Sequence, residues 1–498
     1  MKKMKIAFFN SHVLWPSHYE TELEIIHAYL ENGHDVIQLY CNNQLPGCDQ
    51  NPFFVPSVCA LCQRIRKEGK GIIGGHFKSQ NLPEPTPNQK RIVAEIPSQF
   101  NSIKELQAVK VENFDLGFSV VSSLISFTRN PRPLPRDFQP AISAFMTSAA
   151  GLYFAFCNWL ETNQPDIVFL FNGRLAHTRA IMRACQKKGI RFIIHERGAN
   201  KDKYALFENN SPHDLKFVQS EILRTWNAAE PNLREEEGKR FYELTSSGQE
   251  IGWFSFTKDQ KNVLPESWEN QHYNVVIFSS SEDEFASLSE EWHNHIYPSQ
   301  IEGIKKITQD LLPEKEIHLY LRVHPNLKKV ENDEKRALYA LHSPNLTLIK
   351  AESEISSYKL LKEASLVLTF GSTMGIEAVY QGKPSVLAGR SLYSELGATY
   401  NANSHDDVVS FIKSRPKALS KTGALVYGFY NKTFGIDFQI YKADSLEKGS
   451  INGRYLNREK VQKDRFIDWM FTFNLLKPIS DRFYAYLKTR RIKRFTSQ

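Results

Sequence analysis

Three clusters of small polar and basic residues stand at the ends of short apolar runs. They are Ser279–Ser280–Ser281–Glu282–Asp283, Arg322 with His324, and Gly371–Ser372–Thr373 followed by Glu377. Hydroxyls, an imidazole and a guanidinium grouped in this way can hold a phosphate, because each donates hydrogen bonds to an anionic oxygen. Small residues at 371–373 let backbone N–H groups approach that phosphate, and a helix starting at Ser372 or Thr373 would add a positive dipole end. The same residues also serve as an ordinary cap ahead of a core helix. Glu377 lies one turn further in, where it can accept hydrogen bonds from ribose hydroxyls. Arg322 and His324 are two apart on a strand end and share one side of it, which suits a phosphate leaving group or simple surface hydrogen bonding.

A second set of strand-end residues occupies the N-terminal half: Asn10, Ser11 and His12, then Asn172–Gly173–Arg174, then His195–Glu196–Arg197–Gly198. Glu196 and His12 are candidate bases for deprotonating an acceptor hydroxyl, with His18 and Glu20 close by in sequence. Asn172, Arg174 and Arg197 are candidate substrate contacts. Glu196 and Arg197 can equally form a structural ion pair. Cys41, Cys48, Cys59 and Cys62 fall close together. Four thiolates could hold a structural zinc, and the alternative is free thiols.

These residues need a scaffold, and the hydrophobic pattern supplies one. KIAFFNSHV (5–13), HYETELEIIHAYLENGHDV (18–36) and VIQLYC (36–41) read as strand, helix and strand. PDIVFLFNGR (165–174), TRAIMRACQKKG (178–189) and RFIIHERG (191–198) repeat that order. Further strands fit 273–280, 317–325, 345–350, 365–371 and 383–389, with helices at 298–312 and 374–382. Alternation of this kind predicts parallel sheets in two Rossmann-like domains facing a cleft. The expected division is 1–210, with an elaborated insertion at 42–135 and some helix around 103–126; a linker at 211–270; a second domain at 271–415; and a helical, basic tail at 416–498. Ligands of such sheets bind at the carboxyl ends of the strands, where all the clusters above stand.

Composition narrows the class. The 498 residues are 41% hydrophobic and 12% aromatic, enough for large cores. The net charge of +8 is spread along the chain, so it suits an anionic small molecule or membrane surface and does not imply nucleic acid. The start, MKKMKIAFFNSHVLW, reads as a first buried strand rather than a secretory signal, which gives a cytoplasmic expectation. The charge-free stretch 140–160 contains several small polar residues and reads as a buried core helix. At the far end, FIDWMFTFNLL (466–476) precedes Lys488, Arg490, Arg491, Lys493 and Arg494. This combination fits a peripheral contact with an anionic inner-membrane surface or packing back onto the N-terminal domain.

The segments IHLYLRVHPN (317–326), SSYKLLKEASLVLTFGSTMGIEAVYQGKP (356–384) and GRSLY (389–393), with FNGR (171–174) and HERG (195–198), carry a resemblance. The chain resembles the capsular polysaccharide biosynthesis proteins, bacterial glycosyltransferases of the GT-B fold related to capsule Kdo transferases. The resemblance implies transfer of a sugar from a nucleotide-activated donor to a glycan or lipid-linked acceptor, with no cofactor required for catalysis. It implies that His324, Ser372 and Thr373 contact the donor phosphate. The acidic-acidic-Gly base motif of bacterial sialyltransferases is not evident, since Glu282–Asp283 is followed by Glu284. A nucleotide-sugar epimerase of the same fold, a polyol-phosphate transferase and a non-catalytic capsule assembly or export factor are the alternatives.

Overall fold

The structure is a computed structural model that describes residues 2–74, 77–252, 255 and 259–458. The apolar and basic stretches at 466–476 and 488–494 lie outside the described residues. The chain divides into two units. Unit 1 comprises the chain up to Thr128, Pro133–Pro212, and Gly435 to the last described residue; unit 2 comprises Arg129–Arg132 and His213–Phe434.

Unit 1 opens with β1 (Lys5–Asn10), α1 (His18–Glu31) and β2 (Asp35–Tyr40). It continues with α2 (Pro56–Ile72), β3 (Lys78–Asn81), α3 (Pro87–Glu95), α4 (Ile103–Gln107), α5 (Leu116–Thr128) and α6 (Gln139–Asn163). Then come β4 (Ile167–Phe171), α7 (Ala176–Lys188), β5 (Phe192–Arg197) and β6 (Lys203–Glu208). Strands β3, β2, β1, β4 and β5 lie side by side and parallel, and β6 pairs antiparallel with β5. The strand residues of β1 and β4 are almost wholly apolar and buried, as a strand covered on both faces requires. The segment expected as an insertion is therefore part of the unit, because β3 extends its sheet. Helix α6 is long and apolar enough to cross a membrane, yet 83% of its apolar window is buried, and it packs along α7 as a core helix.

Unit 2 carries α8 (Leu215–Ala228), α9 (Pro231–Ser246), β7 (Tyr273–Phe278), α10 (Gln300–Asp310), β8 (Ile317–Arg322) and α11 (Asp333–Tyr339). It goes on through β9 (Leu346–Ile349), α12 (Ser357–Glu363), β10 (Leu366–Thr369), α13 (Met374–Tyr380), β11 (Ser385–Leu387), β12 (Tyr400–Asn401), α14 (His405–Lys413) and α15 (Thr422–Thr433). Its six strands are all parallel in the order β12-β11-β10-β7-β8-β9, a doubly wound arrangement.

Two boundaries differ from the sequence expectation. Residues 211–270 hold α8 and α9, which pack on α15, with the Tyr242 hydroxyl donating to Ala424 O at 2.6 Å. Their apolar stripes are narrow and flanked by charge, so the segment resembles a linker in composition only. The stretch expected as a helical tail splits: α15 belongs to unit 2, and the chain then returns to unit 1 as β13 (Ile436–Asp437), β14 (Tyr441–Ser445) and β15 (Lys448–Ile451). Strand β13 pairs antiparallel with β6, and the Glu24 carboxylate of α1 accepts from the backbone N–H groups of Gln439, Ile440 and Tyr441 at 2.7–3.0 Å.

Candidate functional site

In unit 2 the loops after β10, β7 and β8 come together because these three strands are sheet neighbours and all point the same way. They enclose a cavity of about 490 Å³ lined by Ser279–Ser281, Arg322, His324, Gly371–Thr373 and Glu377, among others. The sequence clusters are thus assembled at one place.

The β7 loop is held at its backbone. Gln300 brackets Ser280, accepting from its N–H at 2.9 Å and donating to its carbonyl at 3.0 Å. Ser279 Oγ accepts from the His324 backbone N–H at 2.9 Å. The Ser280 hydroxyl itself is buried and has no hydrogen-bond partner among the described residues, the condition of a group built to meet a ligand. Gly371 has φ +142°, and a Cβ there would lie 2.8 Å from Arg390 O, so only glycine fits this turn.

His324 Nδ1 accepts from the Asn326 backbone N–H at 3.1 Å, which places the ring proton on Nε2. Burial, helped by the charges of Arg322 and Arg129, lowers its pKa to about 4, so the ring is neutral at pH 7. Arg322 differs from expectation. Its guanidinium donates to the carbonyls of Lys350 and Ser353 and to Ser357 Oγ, and the side chain is almost wholly buried. It braces the loop between β9 and α12 rather than forming a cation pair with His324, since burial demands that its donors be satisfied. Glu377 is buried too. It accepts from the Tyr358 hydroxyl at 2.6 Å and from Thr373 Oγ1 at 3.3 Å, and burial raises its pKa to about 7 despite those bonds. Ser372 Oγ accepts from the Met374 N–H at 3.3 Å, an N-cap-like contact, while its carbonyl accepts from the Tyr393 hydroxyl.

Unit 1 gathers its own strand-end residues after β1, β4 and β5. Phe171 is the hub, its ring centroid 4.8 Å from that of His12, 4.2 Å from His18 and 5.6 Å from His195. His12 is buried, which lowers its pKa to about 4; its Nδ1 is 2.6 Å from Ser11 Oγ and its Nε2 3.8 Å from Asp49. Asp49 also meets His177 Nδ1 at 3.1 Å. Burial would raise the Asp49 pKa, but the hydrogen bond and charge of His177, with His12 adding to them, hold it below the ordinary value. Both His195 ring nitrogens are buried without partners among the described residues. Glu196 accepts from Asn172 Nδ2 at 2.8 Å and from the Arg197 backbone N–H at 3.1 Å; its pKa is raised by burial, which outweighs those bonds. His18 Nδ1 stands 3.7 Å from it. The Arg197 guanidinium turns to Ser17 Oγ and Leu446 O, so its side chain forms no ion pair with Glu196 in the way the sequence allowed. Arg174 donates to Ser122 Oγ at 3.0 Å, and Glu20 pairs with Arg458. Asp49 and His177 escaped the sequence analysis because neither directly follows an apolar strand.

The four clustered cysteines line one unit 1 cavity of about 50 Å³. Burial pushes the Cys62 thiol up to about 12 and raises Cys48 as well. Among the described residues no three His, Cys, Asp or Glu side chains are grouped closely enough to hold a metal ion.

Residues 291–433 match the model of a known family, described as capsule polysaccharide biosynthesis protein. The match spans His324 and the whole of 371–377, and over that stretch the resemblance seen in the sequence is borne out. No curated protein matches the chain significantly. Among solved structures, Thermosulfurimonas dismutans KpsC, a beta Kdo 2,4 transferase, is 13% identical, with 53% of this chain and 80% of that chain covered and a TM-score of 0.37. The glycosyltransferase SnogD from Streptomyces nogalater is 9% identical over 86% of this chain and 95% of that one, with a TM-score of 0.25. The Streptomyces sp. SF2575 glycosyltransferase SsfS6 is 9% identical over 86% and 95%, at 0.24. At these scores the fold rests on its own strand order.

Proposed function

We propose that the chain is a glycosyltransferase of capsule or surface polysaccharide synthesis, taking its sugar from a nucleotide-activated donor held in unit 2 and passing it to a glycan or lipid-linked acceptor. The observation that carries this is the unit 2 cavity, where three strand-end loops present hydroxyls, a neutral imidazole and a buried carboxylate around a space of about 490 Å³. Such a set binds a phosphate by hydrogen bonding: Nε2–H of His324 and the Ser280 and Ser281 hydroxyls donate to its oxygens. Glu377, with a pKa near 7, accepts from ribose hydroxyls as Tyr358 and Thr373 hold it in place. As the sugar–phosphate bond breaks, the donors already aimed at the phosphate stabilise the charge that collects there, with no reorganisation at the moment of reaction.

In unit 1, Glu196 is the proposed base. Its raised pKa brings it closer to neutrality, where a general base is most effective, and Asn172 fixes its orientation. His12, buried with its Nδ1 against Ser11 Oγ, supports the surrounding polar network rather than meeting substrate first. The test is a calorimetric and thermal-shift panel of CMP, UMP, UDP and GDP, followed by product analysis with the corresponding sugar donors. Binding of at least one nucleotide raises the melting temperature by mass action. A chain that binds none of them, in the wild-type form, is not this enzyme.

A further inference from the structure

Among the described residues, few cationic side chains line the unit 2 cavity. Of the cationic side chains that line it, Arg322 is committed to backbone carbonyls and His324 is neutral. A phosphate-bearing ligand brings one to three negative charges, and hydroxyls alone do not neutralise them.

A further cation is held against the β7 loop by an unexpected piece of chain. Residues Arg129–Arg132 are part of unit 2, although the chain up to Thr128 and from Pro133 is part of unit 1. Arg129 takes φ 54°, a left-handed conformation rare for a residue with a Cβ, and its carbonyl accepts from Asn332 Nδ2 at 2.6 Å. Its Nε is bound to Asp283 of the β7 loop. Its Nη2 is buried and has no hydrogen-bond partner among the described residues. Asp283 lies in sequence between Ser281 and Glu284, which line the cavity, so its ion pair anchors the guanidinium beside the β7 wall.

Arg132 secures this arrangement. It grips Glu282 with two parallel hydrogen bonds, at 2.9 and 3.0 Å, and also meets Glu334 at 3.2 Å and Pro298 O at 3.1 Å. Glu282 in turn accepts from the Gln300 N–H at 3.2 Å, and Gln300 is the residue that brackets Ser280. The same fork therefore fixes the loop that carries the serines and the aspartate that holds Arg129.

We propose that Arg129 is an anion-binding residue of the unit 2 cavity, presenting Nη2 to a phosphate group of the ligand, with Arg132 as its positioning residue. This rests on the phosphate-binding part of the function proposed above and adds the residue that supplies its charge. A buried guanidinium nitrogen without an acceptor is costly, and a phosphate oxygen removes that cost on binding.

The test uses inorganic pyrophosphate, CMP and UDP as probes, with affinity measured by calorimetry and folding by thermal melts. Arg129→Ala weakens pyrophosphate binding about tenfold or more, as loss of a charge-assisted hydrogen bond does. Arg129→Lys retains the charge and recovers part of that loss. Arg132→Ala gives a smaller drop, restored in part by Arg132→Lys, because it acts only through position. Arg336→Ala, which breaks an exposed pair with Asp333, leaves affinity unchanged. If Arg129→Ala lowers the melting temperature, Arg129→Gln replaces it, since the amide still donates to Asp283. A variant at Arg129 that binds pyrophosphate as tightly as the wild type overturns the proposal, and so does a wild type with no affinity for any of the three probes. A wild type that binds pyrophosphate but neither nucleotide, with the Arg129 effect intact, supports the anion site and defeats the nucleotide-sugar function instead.

Discussion

The two strand-end sites are built from opposite materials. In unit 2, hydroxyls, a neutral imidazole and the Glu377 carboxyl surround open space, and the buried Ser280 hydroxyl has no partner among the described residues. In unit 1, titratable side chains are pressed against one aromatic ring, so that His12, His18 and His195 all have depressed pKa values, chiefly through burial. In the first arrangement His324 stays neutral near pH 7, while Glu377, at about 7, titrates there. The second suits chemistry that moves a proton, because small changes in surroundings shift which group carries it.

The largest effect that would sharpen this contrast is expected at Glu196. Glu196→Gln lowers turnover by about 10²- to 10⁴-fold, the usual range for a lost general base, while nucleotide affinity stays at the wild-type value. A variant that loses affinity along with turnover breaks the division of labour. His324→Ala should do the reverse, weakening nucleotide binding by roughly tenfold to a hundredfold through loss of a hydrogen bond to a charged group. Isothermal titration of both variants, side by side, decides the matter.

Glycine substitutions give the next contrast. Gly371→Ala forces a Cβ to within 2.8 Å of the Arg390 carbonyl, at a φ only glycine tolerates, and costs roughly 1–3 kcal/mol of stability. Gly173, with φ +77°, also sits at a strand end, but there the added Cβ meets the tip of the Ile194 side chain, which can move. Urea melts should therefore show Gly173→Ala as the milder of the two, and the opposite ranking would contradict these backbone assignments.

The last contrast is in acid stability. His12 in unit 1 and His324 in unit 2 both have pKa values lowered from 6.5 to about 4. Each is neutral in the folded chain where the unfolded chain would take up a proton, so its contribution is present above pH 6.5 and is lost as the pH falls toward 4. His12→Asn and His324→Asn should each flatten the fall in urea midpoint across that window. A variant whose midpoint falls as steeply as the wild type's between pH 6.5 and 4 would show that its ring is not buried as described.

Much of this could be seen in the sequence, and for a single reason. A parallel strand covered on both faces is an apolar run that stops abruptly, so residues 279–281, 324, 371–373, 172 and 195–197 announce themselves by position. Arg322 misled because spacing tells which side of a strand a residue occupies but not that the carbonyls of Lys350 and Ser353 wait there. Arg129 and Asp49 were invisible for the complementary reason. They act through partners at Asp283 and His177, more than a hundred residues away, and their neighbours in sequence show no periodicity. Residues 211–270 read as a linker because the charge on α8 and α9 masks the stripes they turn toward α15.

The chain passes between its units at Thr128/Arg129, Arg132/Pro133, Pro212/His213 and Phe434/Gly435. Its last return delivers β13 to the edge of β6 and three backbone N–H groups to Glu24. On a ribosome this sets an order of assembly. Every residue of unit 2 has been synthesised before the strand that finishes the unit 1 sheet emerges, so the half begun first is the half completed last. During that interval the open edge of β6 exposes unpaired backbone groups, and the Glu24 carboxylate lacks the donors that later surround it. Synthesis halted before residue 435 leaves every residue of unit 2 made and unit 1 unfinished, and no single cut of the gene yields either unit whole.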